Sequence, residues 1–386
     1  MANTENRRLR IMRTRLLFVA LATAALVACG GGGGGGGNFG SLPVGWVPPA
    51  PGPGGPSPEP PPEPGPGTNP APTPITASYK FLKFEQDRDP DTETAEKRFT
   101  DYIALLNREG AAGYRYLEGE AGGSIVRLQD TFMMVKDTET TYSYEYKRLT
   151  YDILQTTALQ ALLQQAKEQG AKGMVLLKIL APIDLNSNLD PEFAVLYRKD
   201  LGSSATYDVT AELYAENVAD YVNRANAQGA NGYRPWATPF LVNQGGYQFF
   251  LKDLSSPARY SFKAVISPLS VVGGEVKDVK AQIREQGAQG YRLLKDRFLK
   301  DENGESKDYI YYVKDTTQSS SFEYEFLDNP DPVFGLQEAN AAQANAQTAN
   351  GLRYFGEPDS PIFFRSSACT GPLCLSPDRT ETSNQN

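Results

Sequence analysis

The 386-residue chain has no histidine and three cysteines, Cys29, Cys369 and Cys374. That inventory removes most catalytic chemistry at the outset. Without imidazole there is no Ser-His-Asp or Cys-His nucleophile system and no histidine metal ligand. Cys369 and Cys374 bound the stretch "CTGPLC", in which Gly371-Pro372 supplies a turn, so a small disulfide-closed loop is expected in preference to two free thiols. A two-cysteine metal site has no histidine to complete it. Carboxylates are plentiful, and carboxylate-pair hydrolysis of the glycosidase kind stays formally open. No spacing singles out a pair, however. The expectation is a protein that is not an enzyme, with no catalytic residue, no metal and no cofactor.

Cys29 sits in a different context. Arg7, Arg8, Arg10, Arg13 and Arg15 precede Leu16–Ala28, an uncharged run of apolar and small residues. Thirteen residues are too few to cross a bilayer as a helix, which favours a cleaved signal. Translation from Met12 would also give a complete signal. Leu26-Val27-Ala28-Cys29-Gly30 resembles the lipobox of bacterial lipoproteins, in which the cysteine is acylated and becomes the first mature residue. The competing reading is an ordinary signal peptide with an incidental cysteine. The resemblance implies a lipid-anchored exported protein, and Gly30 after the cysteine resembles lipoproteins sorted to an outer membrane, on its periplasmic face or at the cell surface.

Formal charge is −8, and removal of residues 1–28 leaves 33 basic against 45 acidic side chains, or −12. Such a surface repels phosphate backbones, so no nucleic-acid partner is expected. The membrane contact would come from the lipid alone. Gly30–Gly37 is a run of eight glycines, and 15 of the 28 prolines lie between Asn38 and Ala77. A Gly/Pro tract of this kind forms neither helix nor sheet and reads as a disordered tether.

The elements that would carry any function follow the tether. "NREGAAGYRYL", "KEQGAKGMVLL", "NAQGANGYRPW" and "REQGAQGYRLL" align on Gly110/Gly113, Gly170/Gly173, Gly229/Gly232 and Gly287/Gly290, with first glycines 60, 59 and 58 residues apart. A fifth copy lies 61 further on, with Thr348 in place of the first glycine and Gly351 as the second. A near-constant period marks tandem structural units. Before each pair, apolar residues at steps of three and four (Phe99, Ile103, Leu106 in the first copy) mark one face of a helix. The first glycine is expected just past the last turn as a left-handed helix stop. The second is expected where the chain returns against its helix, and Tyr114, Tyr233 and Tyr291 as the first buried strand residues. Period-two aromatic stretches predict strands on both sides. The Lys-Asp pairs at Lys136-Asp137, Lys199-Asp200, Lys252-Asp253 and Lys314-Asp315 read as turn starts, with aspartate bonding nearby amides.

The fold class is therefore α+β, with five tandem β-α-β-β repeats of about 60 residues behind a signal peptide and tether. The expected division is 1–28 lipoprotein signal peptide, 29–77 lipidated tether, and repeats at 78–137, 138–200, 201–253, 254–315 and 316–365. Residues 366–386 form a tail with the disulfide loop. The fifth repeat, with its alanine-, asparagine- and glutamine-rich helix, reads as a degenerate capping unit with one side in water. The apolar residue, the two glycines, the aromatic and the following leucine (Ile283, Gly287, Gly290, Tyr291 and Leu293) resemble a family of small bacterial domains of unknown function. Their signature is G-x-x-G-W, as in "LNELGAEGWELV", with tyrosine or methionine here replacing tryptophan. The resemblance implies the β-α-β-β fold and no activity. Third strands that are apolar on both faces are expected to pack between units, with a face kept for a ligand as the alternative. Function is then expected from a non-catalytic binding module for a protein, peptide or glycan partner, with a structural spacer between envelope layers as the alternative.

Overall fold

The computed structural model describes residues 77–84, 95–122, 129–150, 157–184, 192–236, 247–328, 337–356 and 361–378. Cys29, the signal and all of the tether before Ala77 lie outside the described residues, as does the end of the tail. What is described belongs to one compact unit, Asn69–Asn386.

One order of elements recurs five times. The first unit has β1 (Ser78–Phe84), α1 (Ala95–Ala111), β2 (Arg115–Gly122) and β3 (Gln129–Lys136). The second has β4 (Thr141–Thr150), α2 (Thr157–Gly170), β5 (Met174–Asp184) and β6 (Glu192–Leu201). The third has β7 (Tyr207–Leu213), α3 (Val218–Ala230), β8 (Arg234–Trp236) and β9 (Tyr247–Asp253). The fourth has β10 (Tyr260–Ile266), α4 (Val276–Ala288), β11 (Arg292–Lys300) and β12 (Ser306–Asp315). The fifth has β13 (Ser321–Phe326), α5 (Gln337–Thr348), β14 (Arg353–Gly356) and β15 (Ile362–Ser367). The fold is mixed α+β, with five three-stranded antiparallel sheets and five helices among the described residues. In every sheet the last strand of the unit lies in the middle, as in β1-β3-β2.

The central strands are apolar on both faces because both faces are covered. Phe132, Met133, Met134 and Val135 are all 0% exposed, as are Ala194–Tyr197. Alternate residues meet the unit's own helix: Tyr102 of α1 packs edge-on against Phe84 and Phe132. The other set meets a neighbour, as Tyr79, Met133 and Val135 cluster with Tyr354 and Phe363 of the fifth unit. The helices are rotated slightly from the sequence expectation. Phe99, Leu106, Ala166, Ala225 and Ile283 are buried, but Tyr102, Leu162 and Tyr221 are buried beside Ile103, Leu163 and Val222, which are only partly covered, and Val276 is 58% exposed.

Each helix also packs on the first strand of the next unit: α1 on β4, α2 on β7, α3 on β10, α4 on β13, and α5 on β1. The last contact closes a ring. The fifth unit is thus the closing segment and not a cap facing water. Its thin apolar face suits the place, since Ala341 and Ala344 are buried at the seam.

Ring packing assigns the two glycines of each motif differently from the sequence expectation. Positive φ occurs at the second one, Gly113 (89°), Gly173 (80°), Gly232 (87°), Gly290 (84°) and Gly351 (71°), so these terminate the helix. Gly110, Gly170, Gly229 and Gly287 are still helical. A Cβ on them would stand 2.4, 2.3, 2.2 and 2.2 Å from the carbonyl oxygens of Tyr142, Tyr207, Tyr260 and Phe322 on the next unit's first strand. They are glycine because a neighbouring backbone lies where a side chain would be. Three residues earlier, Asn107, Asn226 and Asn345 bond that strand through both amide atoms. Asn226 Nδ2 donates to Phe262 O at 3.0 Å, and Phe262 N donates to Asn226 Oδ1 at 2.8 Å. Asn107 pairs in the same way with Tyr144, and Asn345 with Tyr79. A side chain thereby completes the ladder of an edge strand that would otherwise present open backbone groups.

Candidate functional site

In the first, third and fourth units the strand after the helix stop begins one residue later than expected, at Arg115, Arg234 and Arg292, whereas in the second it begins at Met174. Tyr114, Tyr233 and Tyr291 are half-buried and lie under lysines, as Lys80 Nζ is 4.0 Å from the Tyr114 ring centroid. The residue that follows is Arg115, Val175, Arg234, Arg292 or Arg353. In the second unit, Arg198 of β6 stands directly across from Val175, whereas Arg115 of β2 stands across from Val135. Residues directly opposite in an antiparallel pair share a face. The second unit has therefore moved its arginine one strand over while keeping it on the same side. Each unit contributes one arginine in this row.

These arginines surround the segment after β15. Cys369 and Cys374 are disulfide-bonded, with Cα atoms 5.7 Å apart, and Pro372–Cys374 makes a single 3₁₀ turn. Leu373, Ser376 and Asp378 are buried. Asp378 accepts from Arg115 Nη1 at 2.8 Å and from Arg198 Nη1 at 3.1 Å. Arg115 Nη2 donates to Ser376 O, and Arg292 Nη1 to Pro372 O. The arginines hold the tail by two main-chain carbonyls and one carboxylate.

The two arginines that hold Asp378 are themselves held. Arg115 donates to both carboxylate oxygens of Asp137, from Nε at 2.9 Å and Nη2 at 2.6 Å. Arg198 Nε donates to Asp200 at 2.9 Å. Both aspartates come from the Lys-Asp pairs, which thus divide in role. Asp253 and Asp315 accept from the amides and hydroxyls of Ser255 and Thr317, as turn chemistry requires. Asp137 and Asp200 orient arginines. The lysines of two pairs reach the end of their own unit's helix, Lys314 Nζ donating to Gln289 O at 2.9 Å and Lys136 Nζ to Ala112 O at 3.5 Å.

Burial disfavours the Asp378 carboxylate, but Arg198 and Arg115 outweigh it and hold its pKa below the usual range. For Arg115, the Asp137 and Asp378 charges likewise outweigh burial and raise its pKa further. Arg353 is different. Burial lowers its pKa, opposed only partly by Asp137, and its Nη1 is buried without a hydrogen-bond partner.

Beside the tail lies a cavity of about 430 Å³. Arg115, Arg198 and Arg234 line it together with Tyr142, Tyr207 and Tyr260, which occupy one position in three successive first strands. Trp236, under the Arg234 guanidinium at 4.5 Å, closes part of the wall, and Asp200, Asp253, Ser376 and Asp378 supply acceptors. Polar groups fixed by their neighbours, set among rings, can orient a polar ligand by hydrogen bonds and stacking. No His, Cys, Asp and Glu grouping able to hold a metal ion occurs among the described residues.

The sequence-derived site residues divide accordingly. Cys369 and Cys374 come together and the helix glycines frame the ring, and of these glycines Gly232 lines the cavity. The arginine row was overlooked, although "GYR" in three of the motifs was its visible trace. No protein-family model, curated protein or solved structure matches the chain.

Proposed function

We propose that this protein is a non-catalytic binding lipoprotein built from five fused copies of one β-α-β-β unit of about 60 residues. It is lipid-anchored at Cys29 to an outer membrane, and the ring is carried on the Gly/Pro tether. The observation that carries the binding reading is the cavity at Arg115, Arg198 and Arg234. Three charged forks, three equivalent tyrosines and a tryptophan converge on one space of about 430 Å³. The absence of histidine and the lack of a distinctive carboxylate pair support a role without catalysis. Anchoring by lipid is consistent with the described helices, none of which is long and apolar enough to cross a membrane.

The test uses the full chain in detergent, screened on peptide and glycan arrays beside Tyr207→Ala and Arg234→Ala. Hits shared by the wild type and lost in both variants support the reading. Hits that survive both substitutions, or an empty screen, overturn it. Labelling cells with a radioactive fatty acid checks the anchor: wild type takes up label and Cys29→Ser does not.

A further inference from the structure

The ring already contains a bound peptide, which is its own tail. Ser376 O accepts from Arg115 Nη2 at 2.6 Å, Ser376 N donates to Asp137 at 3.1 Å, and the Asp378 carboxylate bridges Arg115 and Arg198. A donor and an acceptor on one main chain, followed two residues later by a side-chain carboxylate, are the contacts that fix an extended peptide. We infer that the arginine row is a recognition site for acidic peptide segments of a partner protein, of the Ser-Pro-Asp kind, which residues 376–378 occupy in cis until a partner segment replaces them. This deepens the binding reading above and rests on it.

Three features separate this arrangement from a simple plug. Arg115 and Arg198 are locked by Asp137 and Asp200 on their Nε sides, which leaves Nη1 of each aimed at a carboxylate. The recognition geometry thus belongs to the ring and persists when the tail leaves. The tail also underfills its place, since the 430 Å³ cavity is walled on one side by Ser376 and Asp378 themselves. Finally, Asp378 is the one acidic side chain among the described residues of the tail. Arg353 Nη1 stays buried without a partner, while Asp378 is fully engaged by Arg115 and Arg198. A segment with a second acidic residue would match the row better than residues 376–378 do.

The test measures binding of a fluorescent amidated peptide Leu-Ser-Pro-Asp, and of Leu-Ser-Pro-Asn, to the full chain. In Asp378→Asn the cis carboxylate is gone, and the aspartyl peptide is expected to bind at least about tenfold more tightly than the asparaginyl one. Adding Arg198→Ala should reduce that preference, Arg115 keeping its own bond to the carboxylate, and wild type should bind more weakly than Asp378→Asn because its tail competes. Should Asp378→Asn fail to melt cooperatively, Cys369→Ser/Cys374→Ser loosens the same segment and must show the same preference. Equal affinity for the two peptides in a folded variant overturns the inference. So does a wild-type dimer whose sites are filled by exchanged tails, or binding of an acidic oligosaccharide where the peptide fails. If array ligands still depend on Tyr207 while the peptides show no preference, only this inference falls and the binding reading stands.

Discussion

Gly229→Ala separates two accounts of the same residue. Gly229 lies inside α3 with ordinary helical φ, so local propensity alone favours alanine by about 1 kcal/mol. A glycine present there for flexibility alone would therefore be improved, or left unchanged, by the substitution. In the ring the new Cβ would meet Tyr260 O at 2.2 Å, with a Phe262 ring carbon at 2.8 Å. A carbon–oxygen contact settles at roughly 3.3 Å, so β10 must retreat by about 1 Å. That movement stretches both Asn226 bonds to Phe262, now 3.0 and 2.8 Å, beyond useful range. Two hydrogen bonds at about 1 kcal/mol each are lost. A gap of about 1 Å along the interface also forfeits up to about half the dispersion attraction there, a further 1–3 kcal/mol. After subtracting the gain in propensity, a net loss of about 2–4 kcal/mol remains.

Thermal melting of the full chain reads this directly. At roughly 2 °C per kcal/mol for a fold of this size, Gly229→Ala should melt about 4–8 °C below wild type. Gly287→Ala should behave alike, with Phe322 O at the same 2.2 Å. Gly202→Ala is the control. Its φ is +84° but nothing lies within 4 Å, so it should cost only about 1–2 kcal/mol of backbone strain. A Gly229→Ala protein as stable as wild type, or more so, would refute helix-to-strand contact as the reason for the glycine.

Three further outcomes are expected. Asn345→Ala removes both bonds to Tyr79 across the seam, so urea unfolding should lose about 2 kcal/mol and the Tyr79 amide should lose its hydrogen-exchange protection; an open array would show neither. Buried Lys295, held by Gln248 Oε1, has its pKa pushed down to about 7 by burial, with a smaller push from Arg297. The unfolded chain then binds the extra proton between about pH 7 and 10.5, so wild type gains stability as pH rises through that window. Lys295→Met should exceed wild type by a few kcal/mol at pH 6, an advantage that shrinks toward pH 10 in parallel denaturation curves. Reducing the Cys369–Cys374 bond opens a loop of about six residues and should cost about 2 kcal/mol, read as a lower melting temperature with dithiothreitol.

The order of elements was legible because period and local chemistry agree. A three-and-four stripe, a glycine pair and a run of alternating aromatics recur at nearly constant spacing, and each reports on its own unit. Contacts between units leave weaker traces. Gly110 and Gly113 look alike in sequence, yet one answers to the helix's own end and the other to a strand that begins some thirty residues later. Closure of the ring pairs Asn345 with Tyr79, 266 residues apart, and nothing in either local pattern announces it. The repeated asparagine was there to be read. It stands three residues before the first glycine position in the first, third and fifth units, with Lys167 and Arg284 in the other two. Arg284 Nε donates to Tyr324 O, keeping one of the two bonds.

The arginine row was hidden for a physical reason, which also argues that the side chain matters more than its place in the chain. An alignment on the glycines puts Val175 where the other units have arginine and so suggests a gap. Across the sheet, Arg198 fills that gap from the central strand, with Asp200 in place to hold it. A pairing needed only to stabilise one unit has no reason to reappear one strand over. A charge needed at a shared centre does, because the centre registers where the guanidinium arrives and not which strand delivers it. Keeping several buried arginines near one another is costly unless carboxylates answer them. Asp137, Asp200 and Asp378 supply part of that answer, and Arg353 Nη1 marks where it is incomplete. If the row served stability alone, Arg353→Met would raise the melting temperature and leave every array ligand bound. If it serves recognition, the same substitution should raise the melting temperature and weaken binding of doubly acidic peptides to Asp378→Asn, because the two demands on that side chain are opposed.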